Sequence, residues 1–209
     1  MEAINRGNAS AALIRQLEDG ATNPLTQQPW SAGHTDILAQ RRALLVYGQC
    51  EDILATYLDH QVFVVEGGTG SGKSTQLPQF LAYVEANSGK RVVCTQPRRV
   101  AAKSLATRVA KEAGVTLGEE AGYQIGGDKK IDANGKKTRL AYITEGVLKA
   151  QFHSKNKTLE EYACVIVDVV HERTVDADIL LGLLKIALAK RKDLKVCIPQ
   201  ISTRRRLPY

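Results

Sequence analysis

Between residues 61 and 198 the chain alternates two hydrophobic patterns. Short apolar runs, rich in β-branched residues, recur at 62–65, 91–95, 138–143, 163–168 and 194–198. They are almost continuously apolar, as strands buried on both faces are. Between them lie longer stretches with helical spacing, at 73–86, 98–112, 145–152 and 176–189. This alternation predicts an α/β fold, a mostly parallel sheet with helices on both faces. Residues 122–126 predict a short edge strand, and 128–137 a charged hairpin-like excursion turning at Asn134-Gly135. Upstream, 36–47 and 49–60 read as helices broken at Gly48. They follow a loop, 23–35, that holds two prolines and the only tryptophan. The expected organisation is a flexible extension (1–22, with an amphipathic hint at 11–17), a helical lead-in (23–60), the α/β domain (61–198) and an atypical basic tail (199–209). Pro199 is expected to interrupt the last strand.

Composition narrows the class without naming it. The chain has 209 residues, 44% hydrophobic and 24% charged, which suits one large globular domain. No run of eighteen apolar residues is present, so no membrane span and no membrane partner are expected. The N-terminus lacks the apolar run of a secretory leader, so an intracellular location is expected. Cys50, Cys94, Cys164 and Cys197 form no CxxC pair, and three of them sit inside apolar runs. They read as reduced core thiols. The net charge is +7, but residues 190–209 hold seven basic residues against one acidic, which accounts for six of those charges. The body of the domain is close to neutral, so an RNA-binding face must rest on individually placed arginines.

The sharpest local feature is GGTGSGKS at 67–74, which fits G-x-x-x-x-G-K-[ST] between a strand and a helix. Glycines let successive N–H groups turn inward on a phosphate chain, and the following helix adds its positive end. Gly67, Gly68, Thr69, Gly70, Ser71, Gly72, Lys73, Ser74 and the adjoining Thr75 are therefore candidate nucleotide-binding residues. Lys73 is placed for the β- and γ-phosphates and the Ser74 hydroxyl for Mg²⁺. This loop alone does not choose among kinases, GTPases, ATPases and motors. Asp168 ends the apolar run 163–168, where it would hold Mg²⁺ through water, cap a helix, or do both. TQPRR at 95–99 lies between a strand and a helix, at the ligand-bearing edge of an open sheet. Arg98 and Arg99 there read either as solvated surface residues or as an anion contact.

Four blocks, GGTGSGKST (67–75), TQPRRVAAKSLATRVA (95–110), YITEG (142–146) and DVVHERTVDADILLGLLK (168–185), together resemble the DEAH-box RNA helicases. The segment from NPLTQQPW to RRALLVYGQ is similar to the lead-in of the subgroup acting in spliceosome disassembly and ribosome biogenesis. The resemblance covers residues 23–198. It implies a RecA-like P-loop NTPase domain, the first of two, with ATP and Mg²⁺ as cofactors. It implies that Asp168 and Ser74 hold the metal, that His171 couples the nucleotide site to a partner domain, and that Arg108 stacks on the adenine. It places Gln96, Arg98, Arg99, Thr144 and Gly146 against an RNA backbone, and it implies a nuclear or nucleolar location.

The chain departs from that family at three places. Asp-Glu-Ala-His reads Asp168-Val169-Val170-His171 here, so the general-base position holds Val169. Valine cannot accept a proton, and a positioned general base is worth ~10²–10⁴ in rate. Glu172 belongs to the family's HERT continuation and is not expected to replace it. After residue 198 the family's Ser-Ala-Thr gives way to PQISTRRRLPY, with Ser202-Thr203 as at most a remnant, and no second RecA-like domain or arginine finger follows in this sequence. Gly126-Gly127-Asp128 stands where the family carries an arginine and an aromatic. Three readings follow: a helicase ATP-binding domain with impaired hydrolysis, a non-catalytic nucleotide- or RNA-binding fragment of helicase descent, and an unrelated P-loop enzyme. The first two invite a protein partner or a second domain.

Overall fold

The computed structural model describes residues 3–132, 137–153, 158–168 and 174–201. Helices α1 (Ala11–Glu18), α2 (His34–Arg42), α3 (Leu45–Gly48) and α4 (Cys50–Asp59) precede the sheet. Then follow β1 (Val62–Gly67), α5 (Lys73–Val84), β2 (Arg91–Gln96), α6 (Arg99–Glu112), β3 (Ala121–Ile125), β4 (Asp128–Lys130), β5 (Leu140–Thr144), α7 (Glu145–His153), β6 (Tyr162–Val167), α8 (Val175–Lys190) and β7 (Lys195–Ile201). The seven strands lie in the order β1-β7-β6-β2-β5-β3-β4, all parallel except the β3–β4 pair. Helices cover both faces, as the strand–helix alternation predicts.

The apolar strands divide their side chains between two cores by simple alternation. Val92, Cys94, Tyr142, Cys164 and Ile166 face the side of α5 and α6, where Leu77, Phe80 and Ala106 are also buried. Val93, Ala141, Ile143, Val165 and Val167 face the side of α7 and α8, with Leu148, Leu180 and Leu184. Each such aliphatic or aromatic side chain contributes ~1.5–3 kcal/mol on burial. All four cysteines are free and buried. Burial pushes the Cys50 thiol up to about 12 and raises Cys94, Cys164 and Cys197 as well, so they pack as apolar groups.

Several local expectations change. Residues read as a flexible extension are packed. Ser10 caps α1 by accepting from the Leu13 amide, and Ile4 and Ile14 enter the same core as Val46, Leu54 and Phe80. Arg6 donates to Glu85 at 2.5 Å and to the Asp193 carbonyl at 2.9 Å, tying this segment to the far end of the chain. The helix read over 36–47 breaks at Ala43-Leu44, ahead of Gly48, because Leu44 is extended (ψ 140°). The charged excursion does form a hairpin, but β3 turns into β4 at Gly126-Gly127. Asn134-Gly135 lies outside the described residues. Gly122 has a steric reason to be glycine: a Cβ there would meet the Lys130 carbonyl oxygen at 2.1 Å.

Pro199 does not interrupt β7; it pairs with Val65 inside the strand. The Val196 N–H donates to the Gln61 carbonyl on the β1 side. Strand residues alternate in the direction of their hydrogen-bonding groups, so the missing donor of Pro199 faces β6. Pairing between β6 and β7 has already stopped at Ile166–Cys197, so the proline removes no bond of that ladder.

A second proline is accommodated by a tertiary contact. Pro78 sits inside α5 and cannot donate to the carbonyl of Ser74. The buried Tyr142 hydroxyl donates to that carbonyl instead, at 2.7 Å. Tyr142→Phe is therefore expected to destabilise the domain by about 1–3 kcal/mol through an orphaned carbonyl. Chemical denaturation checks this; an unchanged midpoint would show that the hydroxyl is dispensable.

Candidate functional site

The loop between β1 and α5 is shaped by its glycines and held from outside. Gly72 caps α5 in the left-handed region (φ 97°), and a Cβ there would also press Leu44 at 3.0 Å. The Val46 amide donates to the Ser71 carbonyl at 3.0 Å. The break at Leu44 thus brings the helical lead-in against the loop. Lys73 folds back over it, donating to the Gly67 carbonyl at 2.6 Å and the Gly68 carbonyl at 2.8 Å. Burial lowers the Lys73 pKa, with Asp168 acting against that shift. An anion brought to this ammonium would meet an incompletely solvated cation, where attraction is strong.

Lys73, Ser74, Thr75, the loop from Thr69 to Gly72 and the Asp168 carboxylate line one cavity of about 240 Å³. Asp168 follows β6 at the carboxyl edge of the sheet and faces this cavity. Amine, hydroxyl and carboxylate therefore converge as a metal-bound phosphate chain requires. The donor set fits: Ser74 and Asp168 would hold Mg²⁺, while Lys73 and the loop amides would hold phosphate oxygens. Arg108 lines the outer part of the cavity and also a neighbouring groove of about 480 Å³, with Leu44 common to both. Its Nε is committed to Glu112 at 2.7 Å, yet the side chain stays 59% exposed. The guanidinium plane is thus oriented and accessible for stacking.

Behind the loop runs a buried polar chain. Tyr47 donates to Glu18, and Glu18 pairs with Arg41 at 2.8 Å. Arg41 donates to Gln76 at 2.7 Å, and Gln76 and Gln79 both donate to Glu112 at 2.9 Å. Glu112 then holds Arg108. The chain links α1, α2, α5 and α6 to the rim of the cavity. No short motif signals it, because its members lie far apart in sequence.

The residues expected to contact RNA divide into two groups. Gln96 and Thr144 end the adjacent strands β2 and β5 in register, but neither is at the surface. Gln96 is 3% exposed, and its amide donates to the Asp168 carboxylate at 2.7 Å. The Gln96 amide thus holds the Asp168 carboxylate and does not reach solvent. Thr144 is buried as well. Arg98, Arg99 and Gly146 are exposed, just beyond the same two strand ends. Val169, His171 and Glu172 lie outside the described residues, as do Ser202 and Thr203.

Loop, cavity and parallel sheet together define a P-loop nucleotide-binding domain. Residues 49–196 match the family model described as an AAA domain, and the chain belongs to that family. It is a P-loop NTPase domain, of a class that binds nucleotide with Mg²⁺.

Proposed function

We propose that this domain is the ATP-binding domain of a DEAH-box type RNA helicase, with hydrolysis impaired by Val169. The observation that carries the reading is how the helicase-like sequence blocks meet in space. Gln96, from the TQPRR block, holds Asp168, from the DVVHERT block, at the mouth of the phosphate loop. Thr174, from the same DVVHERT block, donates to Glu145 of the YITEG block at 2.8 Å. Arg98, Arg99 and Gly146 lie just past these junctions at the exposed carboxyl edge, where an RNA backbone could run beside the nucleotide. Phosphate contacts of that kind position a strand without reading its sequence.

In this reading Lys73 and the loop amides bind the phosphates, and Ser74 and Asp168 hold Mg²⁺, which would polarise the γ-phosphate. Gln96 keeps the Asp168 carboxylate aimed into the cavity. Arg108 takes the base, and His171 relays the nucleotide state to a second domain. Attack on the γ-phosphate needs a base to receive the proton of water, and Val169 offers none. An arginine finger supplied by a partner is worth ~10³–10⁵ in turnover, so residues 1–209 assayed without such a partner are expected to turn over slowly. Nucleotide binding needs neither group.

Phosphate release with saturating RNA is expected to stay near background for this chain. Turnover above about 0.1 per second, just below the usual enzyme range, would contradict the impaired part of the proposal. Val169→Glu is expected not to restore unwinding by residues 1–209 assayed alone. RNA that neither binds nor responds to Arg98→Ala and Arg99→Ala would overturn the helicase reading, while leaving the P-loop assignment intact.

A further inference from the structure

Helix α8 is apolar on two sides. Ala177, Leu180, Leu184 and Ala187 are buried, and the last three join the core that α7 shares with the sheet. On the opposite side Val175, Ile179, Gly182, Ile186 and Ala189 are exposed, Val175 by 75%, Ile179 by 44% and Ile186 by 57%. A surface helix ordinarily turns charged residues to that side. These five positions follow one another at spacings of four, three, four and three residues. That spacing keeps them on one narrow seam, of the kind along which two helices pack.

The charges flanking the seam are ordered along the helix. Asp176 and Asp178 stand in its first turn, and Lys185 and Lys190 in its second half. By helical spacing Asp178 and Lys185 border one side of the seam, and Asp176 and Lys190 the other. A second copy of α8, turned end for end about Gly182, sets its Lys185 against Asp178 and its Lys190 against Asp176. The two-fold symmetry repeats both contacts. Asp176 is shared with Lys149 of α7, so the contact of Asp178 with Lys185 is the stronger guide. A parallel copy would instead bring Lys185 beside Lys190, like against like. Gly182 lies at the point of symmetry and carries no side chain, so the two backbones can approach closely there.

We propose that the outer face of α8 docks a second copy of this chain, antiparallel, across a two-fold axis near Gly182. Apolar contact along the seam supplies the attraction. The exposed flanking charges add little affinity but select the partner and its direction. One helix of 16 residues offers a strip about 24 Å long and about 10 Å wide, a small contact beside the ~800 Å² per partner of a standard interface. The dimer is therefore weak and reversible. None of the seam residues lines the nucleotide cavity, so the inference stands apart from the nucleotide reading.

Sedimentation equilibrium of the whole chain from about 10 µM to about 1 mM, the range of weak complexes, is the test. The parent is expected to associate into dimers. Ile186→Gln changes an exposed position and should weaken association about tenfold. Asp178→Lys and Lys185→Glu each turn two attractive contacts into two repulsive ones, and each should weaken it about tenfold or more. An equimolar mixture of those two variants should recover association to within about threefold of the parent, because every contact again joins a lysine to a carboxylate. Unchanged circular dichroism and unfolding midpoint verify that each variant is folded; should Asp178→Lys not fold, Ile186→Gln and Lys185→Glu still decide. A parent that stays monomeric, as it would if this face belonged to a different protein, overturns the proposal. So does an Ile186→Gln or Lys185→Glu variant that associates like the parent, or a mixture of folded variants that associates no better than its components.

Discussion

Lys73→Ala is expected to weaken Mg-ATP binding about 10²–10⁴-fold, beyond the reach of ordinary calorimetric titration. The magnitude follows from two charge-assisted hydrogen bonds to phosphate, each worth ~1.5–3 kcal/mol, with tenfold in affinity for every ~1.4 kcal/mol. The ammonium already sits at the loop, held by the Gly67 and Gly68 carbonyls, so little side-chain ordering remains to be done when nucleotide arrives. Stability should change little, because Lys73 is partly desolvated and its removal relieves that penalty as it loses those two bonds. A variant that unfolds would thus point to a structural role for Lys73. A variant that binds ATP as tightly as the parent would remove the chemical basis for the nucleotide site.

Arg41→Met is expected to be among the most destabilising single changes in the domain, at about 3–5 kcal/mol. Arg41 is 1% exposed and stands between Glu18 and the Gln76–Glu112 pair. Burial alone would lower its pKa; Tyr83, Glu18 and Glu112 outweigh burial and raise it, so the guanidinium is firmly charged. Removing it leaves the Glu18 carboxylate buried without its cation. For a domain of this size the corresponding fall in Tm is on the order of 10 °C. Adding Glu18→Gln should recover part of the loss, since the orphaned charge goes with it. Thermal unfolding of the single and double variants separates this from a packing defect, which the second change would not relieve. Arg108 reaches the same chain through Glu112, so Arg41→Met should also loosen the Arg108 rim of the cavity and, on the proposed function, weaken ATP binding.

The parts of the fold that were legible in the sequence are those specified locally. The runs around Val93, Ile143 and Val165 are apolar on successive residues, which only a doubly covered strand tolerates. The loop from Gly67 to Ser74 and the aspartate that faces it are likewise carried by short-range pattern. What escaped depended on partners distant in the chain. Nothing near Ile4 or Ile14 shows that they complete a core built by α4 and α5. Pro78 leaves the Ser74 carbonyl without its helical donor, and only the pairing of distant strands brings Tyr142 to satisfy it. Gln96 resembled a phosphate contact by its neighbours, while its burial against Asp168 depends on β2 and β6 lying side by side. Pro199 sits inside β7; a proline's effect depends on which neighbouring strand its nitrogen faces, which local sequence does not reveal.

That nitrogen has a consequence for the metal-site aspartate. Any other residue at 199 would offer an amide toward β6, continuing the ladder to the carbonyl of Val167, just before Asp168. β6 and β7 already part after Ile166–Cys197, and proline at 199 leaves that gap without a rung that could close it. On the opposite side of β6, Gln96 donates to the Asp168 carboxylate, so the orientation of that carboxylate is set from β2 and not from β7.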